Sequence, residues 1–414
     1  MTGHSFHFGL MDVDSFKEIN DSFGHYAGDV LLQSVGERLR PLGGDRLFIS
    51  RVGGDEFALI LTGASDEQTE AFFQDVLEAI REPITIGASA RRCSASIGVA
   101  RYPSDAEDAE SLIQAADLAL YHAKALGRDR AERFQPSLRE VVERRAALLQ
   151  EIEEGLARGE FELHYQPIVP TAGSGPFSLE ALMRWRHPRL GLLTPGYFAE
   201  GFQDQAVRAA FGIFMLERIF KDVAAFRAQG LPLRRVAMNL TNSDFRSDVF
   251  LDRFFELCDE TGIGPEQFCV EVTEGMFLGL NQKRVDRGLR RLHAAGVEIA
   301  LDDFGTGYAS LTHLRHLPID RLKIDKSFVA NMAASPEDRA IVRGVIDIAH
   351  SLGKVVTAEG VETVDQVNLL RRMKCDLLQG WYFSKACSVA DLGDTLATMP
   401  KLRSRRGQAP ALPR

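Results

Sequence analysis

Eight short apolar runs in the second half of the chain each close on a polar residue. Amphipathic helical patterns such as Ala206–Gln229, Gln282–Ala295 and Glu337–Leu352 separate most of them. Strands that alternate with helices over about 250 residues are typical of a (β/α)8 barrel. The apolar runs are Phe161–Pro167, Phe177–Trp185, Arg235–Leu240, Phe268–Glu274, Glu298–Phe304, Arg321–Asp325, Val355–Val361 and Leu377–Phe383. The pattern therefore predicts an α/β fold whose second half is a TIM-like (β/α)8 barrel.

The polar endings of these runs are expected to share one cavity, because a barrel displays the carboxyl ends of its strands at one mouth. They are Gln166, Glu180, Asn239, Glu271, Asp302 with Asp303, Lys323, Glu359 and Gln379. Any one of them taken alone could be a solvated strand end. Five carboxylates with a single lysine, however, are costly to bury together without a cation. Oxygen ligands favour Mg²⁺ or Mn²⁺ over zinc, so the endings predict a divalent metal site.

The stretch Glu298–Gly307 shows this chemistry most sharply. An apolar strand ends there in two adjacent carboxylates, Asp302 and Asp303, and a glycine-containing turn follows. Two like charges side by side disfavour each other's ionisation unless a cation compensates them. We therefore expect this pair at the centre of the metal site.

Composition excludes several classes of protein. The chain has 414 residues, 45% hydrophobic and 26% charged, which suits two or three ordinary globular domains. A net charge of −9 argues against a nucleic-acid polymer as partner. No apolar stretch approaches the about 18 residues of a membrane span and no signal-peptide pattern is present, so a cytoplasmic location is expected. The five cysteines show no CxxC spacing, which disfavours disulfides and structural zinc.

The first half of the chain predicts a separate, smaller α/β sheet domain. Its elements are strand Phe6–Val13, helix Ala27–Leu39, hairpin Arg46–Leu61, helix Glu67–Arg81, strand Arg92–Ala100 and helix Ala109–Ala125. Residues 136–158 are dense in helix formers and predict a connecting helix rather than a floppy linker. We expect the sheet domain at 1–135 and the barrel domain at 159–400. Residues 401–414 predict a disordered tail, with attraction to phosphate as an alternative.

A glycine pair at Gly53-Gly54 lies between two strand-like runs and predicts a tight hairpin turn. The turn holds Asp55 and Glu56 at an exposed tip. If the strand ending at Asp12 pairs beside this hairpin, Asp12 and Asp55 could share a metal on the phosphates of a nucleotide. A hairpin of this kind taken alone is usually only a turn.

Two longer motifs give the hairpin a context. DVDSFKEINDSFGHYAGD at Asp12–Asp29 and AKALGR at Ala123–Arg128 resemble signatures of the GGDEF diguanylate cyclase family, over about residues 6–134. The resemblance implies a magnesium ion bound with GTP, held by Asp12, the Val13 carbonyl and Asp55. It also implies GTP contacts from Asn20 and Asp29 to guanine, from Lys124 and Arg128 to the triphosphate, and from Glu56 near the 3′-hydroxyl. Such cyclases join two GTP molecules held on two facing domains.

The first domain departs from that family in two places. Only five residues precede the strand Phe6–Val13, so the domain is expected to lack the family's usual first helix. The inhibitory RxxD motif would fall at Gly44–Leu47, where neither its arginine nor its aspartate stands in place, so product feedback of that type is not expected. The domain is therefore expected either to bind GTP for regulation or to act as a diguanylate cyclase.

Landmarks in the second half resemble the EAL phosphodiesterase family over about residues 145–390. They are Glu180-Ala-Leu-Met-Arg184-Trp, Asn239-Leu-Thr, Glu271-Val-Thr-Glu274, Asp302-Asp303-Phe-Gly-Thr-Gly, Lys323-Ile-Asp325, Ala358-Glu359-Gly-Val-Glu362 and Gln379-Gly380. That family hydrolyses cyclic di-GMP to linear 5′-pGpG with Mg²⁺ or Mn²⁺. The resemblance implies the same substrate and two metal ions for this chain. It also implies that the protein forms a homodimer.

The resemblance assigns a role to each polar ending. One metal is held by Glu180, Asn239, Glu271 and Asp302, and the other by Asp302, Asp303 and Glu359. The catalytic residues are Lys323, Glu359 and Glu180, where Lys323 orients the attacking hydroxide and a structural salt bridge is its alternative role. Substrate contacts are expected from Gln166, Arg184 and Gln379, whereas Glu274 and Glu362 are expected to steady loops.

Two departures concern the barrel. Phe202-Gln203 stands where an Ala-Glu pair is usual in the family, and Ala386 stands where proline often follows the last strand. In the family the loop Asp303–Ser310 couples the metal site to a dimer interface. We expect the first domain, when it binds GTP, to act on that interface through the connecting helix and so to change the rate of hydrolysis. The alternative is a non-catalytic receptor that binds cyclic di-GMP and passes on a signal.

Overall fold

The computed structural model describes residues 5–402 apart from 43, 87–88, 173–174, 278–281, 306–313 and 315. The chain divides into two compact units, Met1–Gln150 and Glu151–Arg414. The tail predicted after residue 400 lies almost wholly outside the described residues, as does the loop from residue 306 to Ser310. None of the helices within the described ranges is long and apolar enough to cross a membrane.

A five-stranded sheet forms the centre of the first unit. The strands of this unit are β1 (Phe6–Val13), β2 (Leu47–Gly53), β3 (Glu56–Thr62), β4 (Ile84–Ile86), β5 (Ser89–Arg91), β6 (Ala95–Tyr102) and β7 (Ala131–Arg133). The sheet order is β2-β3-β1-β6-β7, and β4 pairs only with β5. The helices are α1 (Phe16–Phe23), α2 (His25–Leu39), α3 (Asp66–Arg81), α4 (Ala109–Ala125) and α5 (Pro136–Ala157), the last of which contains the boundary between the units.

The sheet of the first unit is buried on both faces by alternating apolar residues. Met11 and Val13 pack with α2 and α3 on one face, whereas Phe8 and Leu10 pack with α4 on the other. Helix α4 approaches β6 so closely that a Cβ at Gly98 would lie 2.0 Å from the Ala116 carbonyl oxygen. The confirmed α/β sheet therefore depends on glycine at this crossing.

The second unit is a closed barrel of eight strands. The described strands of this unit, of which all but β10 and β17 form the barrel, are β8 (Phe161–Pro170), β9 (Phe177–His187), β10 (Gly191–Leu193), β11 (Leu233–Asn239), β12 (Phe268–Thr273), β13 (Glu298–Phe304), β14 (Arg321–Ile324), β15 (Val355–Ala358), β16 (Leu377–Gln379) and β17 (Cys387–Ser388). The barrel runs β9-β11-β12-β13-β14-β15-β16-β8 and returns to β9. The helices are α6 (Gln205–Ala228), α7 (Val249–Thr261), α8 (Gln282–Ala294), α9 (Lys326–Asn331), α10 (Pro336–Ser351), α11 (Val364–Arg372) and α12 (Leu392–Thr398).

One barrel strand runs against the others, which corrects part of the sequence interpretation. Strand β8 is antiparallel to both β9 and β16, and the neighbouring pairs from β9 through β16 are parallel. Only the six residues after Pro170 separate β8 from β9, too few for the crossover that parallel strands need. Gln166 is therefore not a strand ending at the mouth. It lies in the middle of β8, opposite Glu180 in the ladder.

An ionic cluster lies at the amino-terminal ends of the barrel strands. Glu298 begins β13 and is in ion-pair contact with Arg321, which begins β14 and is 1% exposed. The other carboxylate oxygen of Glu298 lies 2.5 Å from Nη1 of Arg235. The carboxylate of Glu298 thus compensates two guanidinium groups that are largely removed from water.

The small side chains of Ala237, Cys269 and Ala300 form a separate buried cluster on β11, β12 and β13.

Replacing Glu298 by glutamine is expected to destabilise the barrel by about 3–5 kcal/mol, because it leaves buried Arg321 without its counter-charge. The double variant Glu298→Leu with Arg321→Met removes the most deeply buried guanidinium together with its counter-charge and is expected to recover part of that loss, because Arg235 still loses its partner. Urea unfolding followed by tryptophan fluorescence measures both, since Trp185 and Trp381 both lie in the second unit. A single variant within about 1 kcal/mol of wild type would show that the pair contributes little.

Candidate active site

Lys323 lies among four carboxylates inside the barrel. Its Nζ is 2.6 Å from Glu271 Oε2 and 2.6 Å from Glu359 Oε1, with Asp302 Oδ1 at 3.2 Å and Glu180 Oε1 at 3.9 Å. The lysine side chain is 1% exposed and that of Glu271 is 0% exposed. These residues come from β9, β12, β13, β14 and the residue after β15, so the barrel brings together groups that are far apart in the sequence.

Burial and charge shift the protonation of this cluster. Burial raises the pKa of Glu271 well above its ordinary value and that of Glu359 to about 7, although Lys323 favours both charged forms. Burial opposes the charged form of Glu180 as well, but Lys323 and amide hydrogen bonds hold its pKa below the usual value. Burial disfavours the Lys323 ammonium, yet the surrounding carboxylates raise its pKa well above normal. The single ammonium of Lys323 therefore does not compensate the negative charge of all these carboxylates.

The donor set fits a divalent metal. Asp302, Asp303 and Glu359 each offer one oxygen, and these oxygens lie within 4.8 Å of one another. Glu271 Oε1 is buried and has no hydrogen-bond partner among the described residues, so it is an unused ligand atom. When Glu180, Glu271, Asp302, Asp303 and Glu359 are all ionised, as metal ligands must be, they carry four more negative charges than Lys323 compensates, which equals the charge of two divalent cations. Oxygen donors of this kind are those that hard divalent cations prefer.

Three amide side chains surround Glu180. Asn239 Nδ2 donates to Glu180 Oε1 at 3.0 Å. Gln379 Nε2 lies 2.5 Å from Glu180 Oε2 and 3.1 Å from Gln166 Oε1. Gln166 in turn donates to the Ser384 carbonyl oxygen at 3.0 Å. Gln166 thus lies at the predicted site although β8 is antiparallel. It reaches the site from the middle of its strand and not, as the sequence predicted, from a strand ending.

The remaining predicted residues of the barrel take different positions. Glu274 is buried and accepts a hydrogen bond from the Gly305 backbone N–H at 3.1 Å, next to the carboxylate pair. Glu362 lines the cavity over the cluster. Arg184 donates from Nη1 to the Met183 carbonyl oxygen at 2.7 Å and does not line that cavity. Its contact with a substrate phosphate therefore stays a prediction.

A cavity of about 360 Å³ opens over the cluster. Leu182, Lys326, Gly360 and Trp381 line it together with most of the polar endings, though not with Glu271 or Asp303, and none of the four was predicted as a site residue. Each directly or nearly follows a predicted residue in the sequence, which is the only signal that could have found them.

The first unit brings part of its predicted nucleotide site together. Lys124 Nζ lies 2.7 Å from Asp12 Oδ2, and burial raises the pKa of Asp12 despite that contact. The Val13 N–H donates to the Asp55 carbonyl oxygen at 3.2 Å, and Asp12 lies opposite Glu56 in the ladder between β1 and β3. The predicted hairpin is confirmed, with Gly54 at φ +51°. Carboxylates from β1 and the hairpin therefore meet at one end of the sheet.

The predicted guanine contacts lie on the helices that follow β1. Asn20 Oδ1 is buried without a hydrogen-bond partner among the described residues, and a Cβ at Gly28 would lie 2.0 Å from it. Asp29 is exposed on α2, and Arg128 is exposed beyond α4 at φ +64°. The roles of these residues in GTP binding stay predictions.

Comparison with known proteins identifies the class. The family model of the EAL domain matches residues 149–386, more than half of the chain, and that of the diguanylate cyclase GGDEF domain matches residues 1–130. The chain therefore belongs to the EAL family and carries a GGDEF domain in tandem ahead of its EAL domain.

Individual curated relatives match this chain across both of its domains. The cyclic di-GMP phosphodiesterase NbdA of Pseudomonas aeruginosa is 37% identical over 405 residues, which are 95% of this chain and 51% of that protein. The bifunctional diguanylate cyclase/cyclic di-GMP phosphodiesterase MucR of the same bacterium is 34% identical over 379 residues, 91% of this chain and 55% of that protein. The chain thus spans about half the length of the curated relatives it matches.

A solved structure supports the barrel assignment. The PaMucR phosphodiesterase in complex with c-di-GMP matches with a TM-score of 0.56 at 32% identity, covering 59% of this chain and 99% of that chain. An EAL domain protein from Listeria monocytogenes matches with a TM-score of 0.52 at 28% identity, covering 60% of this chain and 97% of that chain. The barrel thus shares its fold with solved EAL domains.

Mn²⁺ is expected to raise the melting temperature of the second unit by roughly 5–10 °C at one hundred times its Kd. Asp302→Asn is expected to remove most of that rise, because Asp302 contacts Lys323 and belongs to the three-carboxylate group. Asp286→Asn, which changes a partly exposed carboxylate paired with Arg290 on α8, is the matched control. Differential scanning calorimetry measures all three proteins. An undiminished rise in Asp302→Asn would contradict a metal site at this position.

Proposed function

We propose that the second unit hydrolyses cyclic di-GMP to linear 5′-pGpG with Mg²⁺ or Mn²⁺. The observation that carries this proposal is the contact of Lys323 with four carboxylates, in a barrel whose donor set has a surplus of negative charge for two divalent cations. The relatives named above as cyclic di-GMP phosphodiesterases support the substrate. Because the chain spans only about half of those relatives, the activity of the whole protein is itself part of the proposal.

Each residue at the cavity takes a role from its position. Glu180, Asn239, Glu271 and Asp302 would hold one metal ion, and Asp302, Asp303 and Glu359 the other. Metal ions bound there would stabilise developing charge on a phosphodiester and lower the pKa of water. Lys323 places an ammonium among these carboxylates and is positioned to orient the attacking water. Gln379 and Gln166 form a chain of amides beside Glu180, which presents polar groups to the substrate.

We further propose that the first unit binds GTP with Mg²⁺. Asp12, Val13 and Asp55 meet at one end of its sheet, and Lys124 already contacts the carboxylate of Asp12. GTP binding there is proposed to regulate hydrolysis, and diguanylate cyclase activity is the second role. The two units are covalently continuous through α5, a single helix of 22 residues. We also propose that the protein acts as a homodimer in the cytoplasm.

A non-catalytic receptor for cyclic di-GMP is the alternative function. A receptor needs the cavity but not the carboxylates that a metal requires. This chain retains all five carboxylates, the lysine and the amides at the cavity, which favours hydrolysis.

Glu180→Ala and Lys323→Ala are each expected to reduce pGpG formation by at least about 100-fold, because each removes a charged group that is buried at the reacting centre. Chromatography of the products formed from cyclic di-GMP with Mn²⁺ measures the loss. Lys354→Ala, whose lysine donates to the Ile319 carbonyl oxygen, is the control and should retain activity. Wild-type protein that binds cyclic di-GMP but forms no pGpG would favour the receptor.

GTP is expected to change the rate of hydrolysis at least about twofold when cyclic di-GMP is below its KM and metal is in excess. Asp29→Ala removes a predicted guanine contact and should abolish the change without altering the rate in the absence of GTP. Initial rates with and without GTP measure both proteins. An identical rate with and without GTP in the wild type would contradict regulation by the first unit.

A further inference from the structure

Among the residues that the structure describes, two cations line the cavity over the carboxylate cluster, Lys323 and Lys326, and they differ in their surroundings. Lys323 is buried, with its ammonium within 3.2 Å of Glu271, Glu359 and Asp302. Lys326 is exposed and forms no ion pair with any residue in the described part of the chain. Lys326 is therefore the cation at this cavity that can meet a substrate without first giving up a protein partner.

The chain holds Lys326 at the cavity by two local features. Asp325 precedes it as the N-cap of α9 and accepts a hydrogen bond from the Ser327 N–H at 2.9 Å, which fixes where the helix begins. Gly360, directly after Glu359, has φ +63°, and a Cβ there would lie 2.6 Å from the Lys326 Cβ. Only glycine allows the turn that carries Glu359 to pack against the first residue of α9. The lysine is thus built into the same wall as Glu359.

The remaining lining of the cavity makes an additional cation useful. Glu180, Asp302, Glu359 and Glu362 all line it, so its wall is strongly acidic. Cyclic di-GMP carries two phosphodiesters, and only one of them can be at the reacting centre at a time. Metal ions would compensate Glu180, Asp302 and Glu359, but Glu362 is outside the proposed metal ligands. The phosphate that lies away from the metals would therefore face a carboxylate unless a cation is beside it. Arg184 is not among the lining residues, and Lys326 is the exposed cation among those that the structure describes, so Lys326 is available for this contact.

We propose that Lys326 binds the phosphate of cyclic di-GMP that is not being cleaved, and so selects a substrate with two phosphates. This inference rests on the proposed phosphodiesterase function. Lys326 acts in substrate binding, not in bond breaking, because its ammonium is separate from the buried cluster around Lys323. Its removal should therefore affect substrates according to how many phosphates they carry.

The experiment compares Lys326→Gln, Lys326→Arg and wild type on two substrates. Lys326→Gln is expected to raise KM for cyclic di-GMP about tenfold with kcat changed less than about twofold. Its kcat/KM for bis(4-nitrophenyl) phosphate, which has a single phosphodiester, is expected to stay within about twofold of wild type. Lys326→Arg should restore KM for cyclic di-GMP, because it keeps the charge and the donors. Lys221→Gln, an exposed lysine on α6 that is not among the cavity-lining residues, is the control for loss of charge alone.

Each outcome bears on the proposal. Equal losses on both substrates, an unchanged KM, or a matching loss in Lys221→Gln would overturn it. The dissociation constant for cyclic di-GMP, measured by calorimetry, separates this inference from the proposed function. If wild type binds cyclic di-GMP but forms no pGpG, the phosphodiesterase proposal fails, and a tenfold weaker binding by Lys326→Gln still supports the contact. Wild type that neither binds nor hydrolyses it overturns both.

Discussion

The buried ammonium of Lys323 is the interaction on which the barrel's site depends. It lies within 2.6 Å of two carboxylates, Glu271 and Glu359, in an interior where an isolated charge of either sign would be costly. Glu271 lies on β12, Lys323 on β14, and Glu359 directly follows β15. Arg321, two residues before Lys323 on β14, pairs with Glu298 at the start of β13. The lysine compensates only part of the negative charge. The negative charge that remains uncompensated favours the binding of divalent cations.

Much of this arrangement could be predicted from sequence, because repeated apolar runs that end in carboxylates bring those carboxylates to one mouth of a barrel. The placement of Gln166 at a strand ending was wrong, because β8 is antiparallel, and the six residues between β8 and β9 already exclude a parallel crossover. The role of Lys326 could not be predicted, since its place at the cavity depends on packing between Gly360 and the start of α9. Contacts of that kind join residues far apart in sequence and leave no periodic pattern.

The two units differ in how completely their sites are formed. In the barrel, each metal-binding candidate lies on or next to a strand that neighbouring strands hold in register. In the first unit, Asp12 and Lys124 contact each other and the hairpin is closed, but Asp29 and Arg128 are exposed. A preformed site costs less to organise when its ligand binds. The geometry therefore supports hydrolysis of cyclic di-GMP by the barrel more strongly than diguanylate cyclase activity of the first unit.

The most direct test is hydrolysis of cyclic di-GMP with Mn²⁺ in water enriched in ¹⁸O, followed by mass spectrometry of the products. Attack of water on phosphorus with departure of the ribose 3′-oxygen predicts pGpG that carries one ¹⁸O, located in its 5′-phosphate. The carboxylate cluster around Lys323 would then be the site of a metal-dependent phosphodiesterase. Cyclic di-GMP recovered intact, or label found outside the 5′-phosphate, would contradict this account.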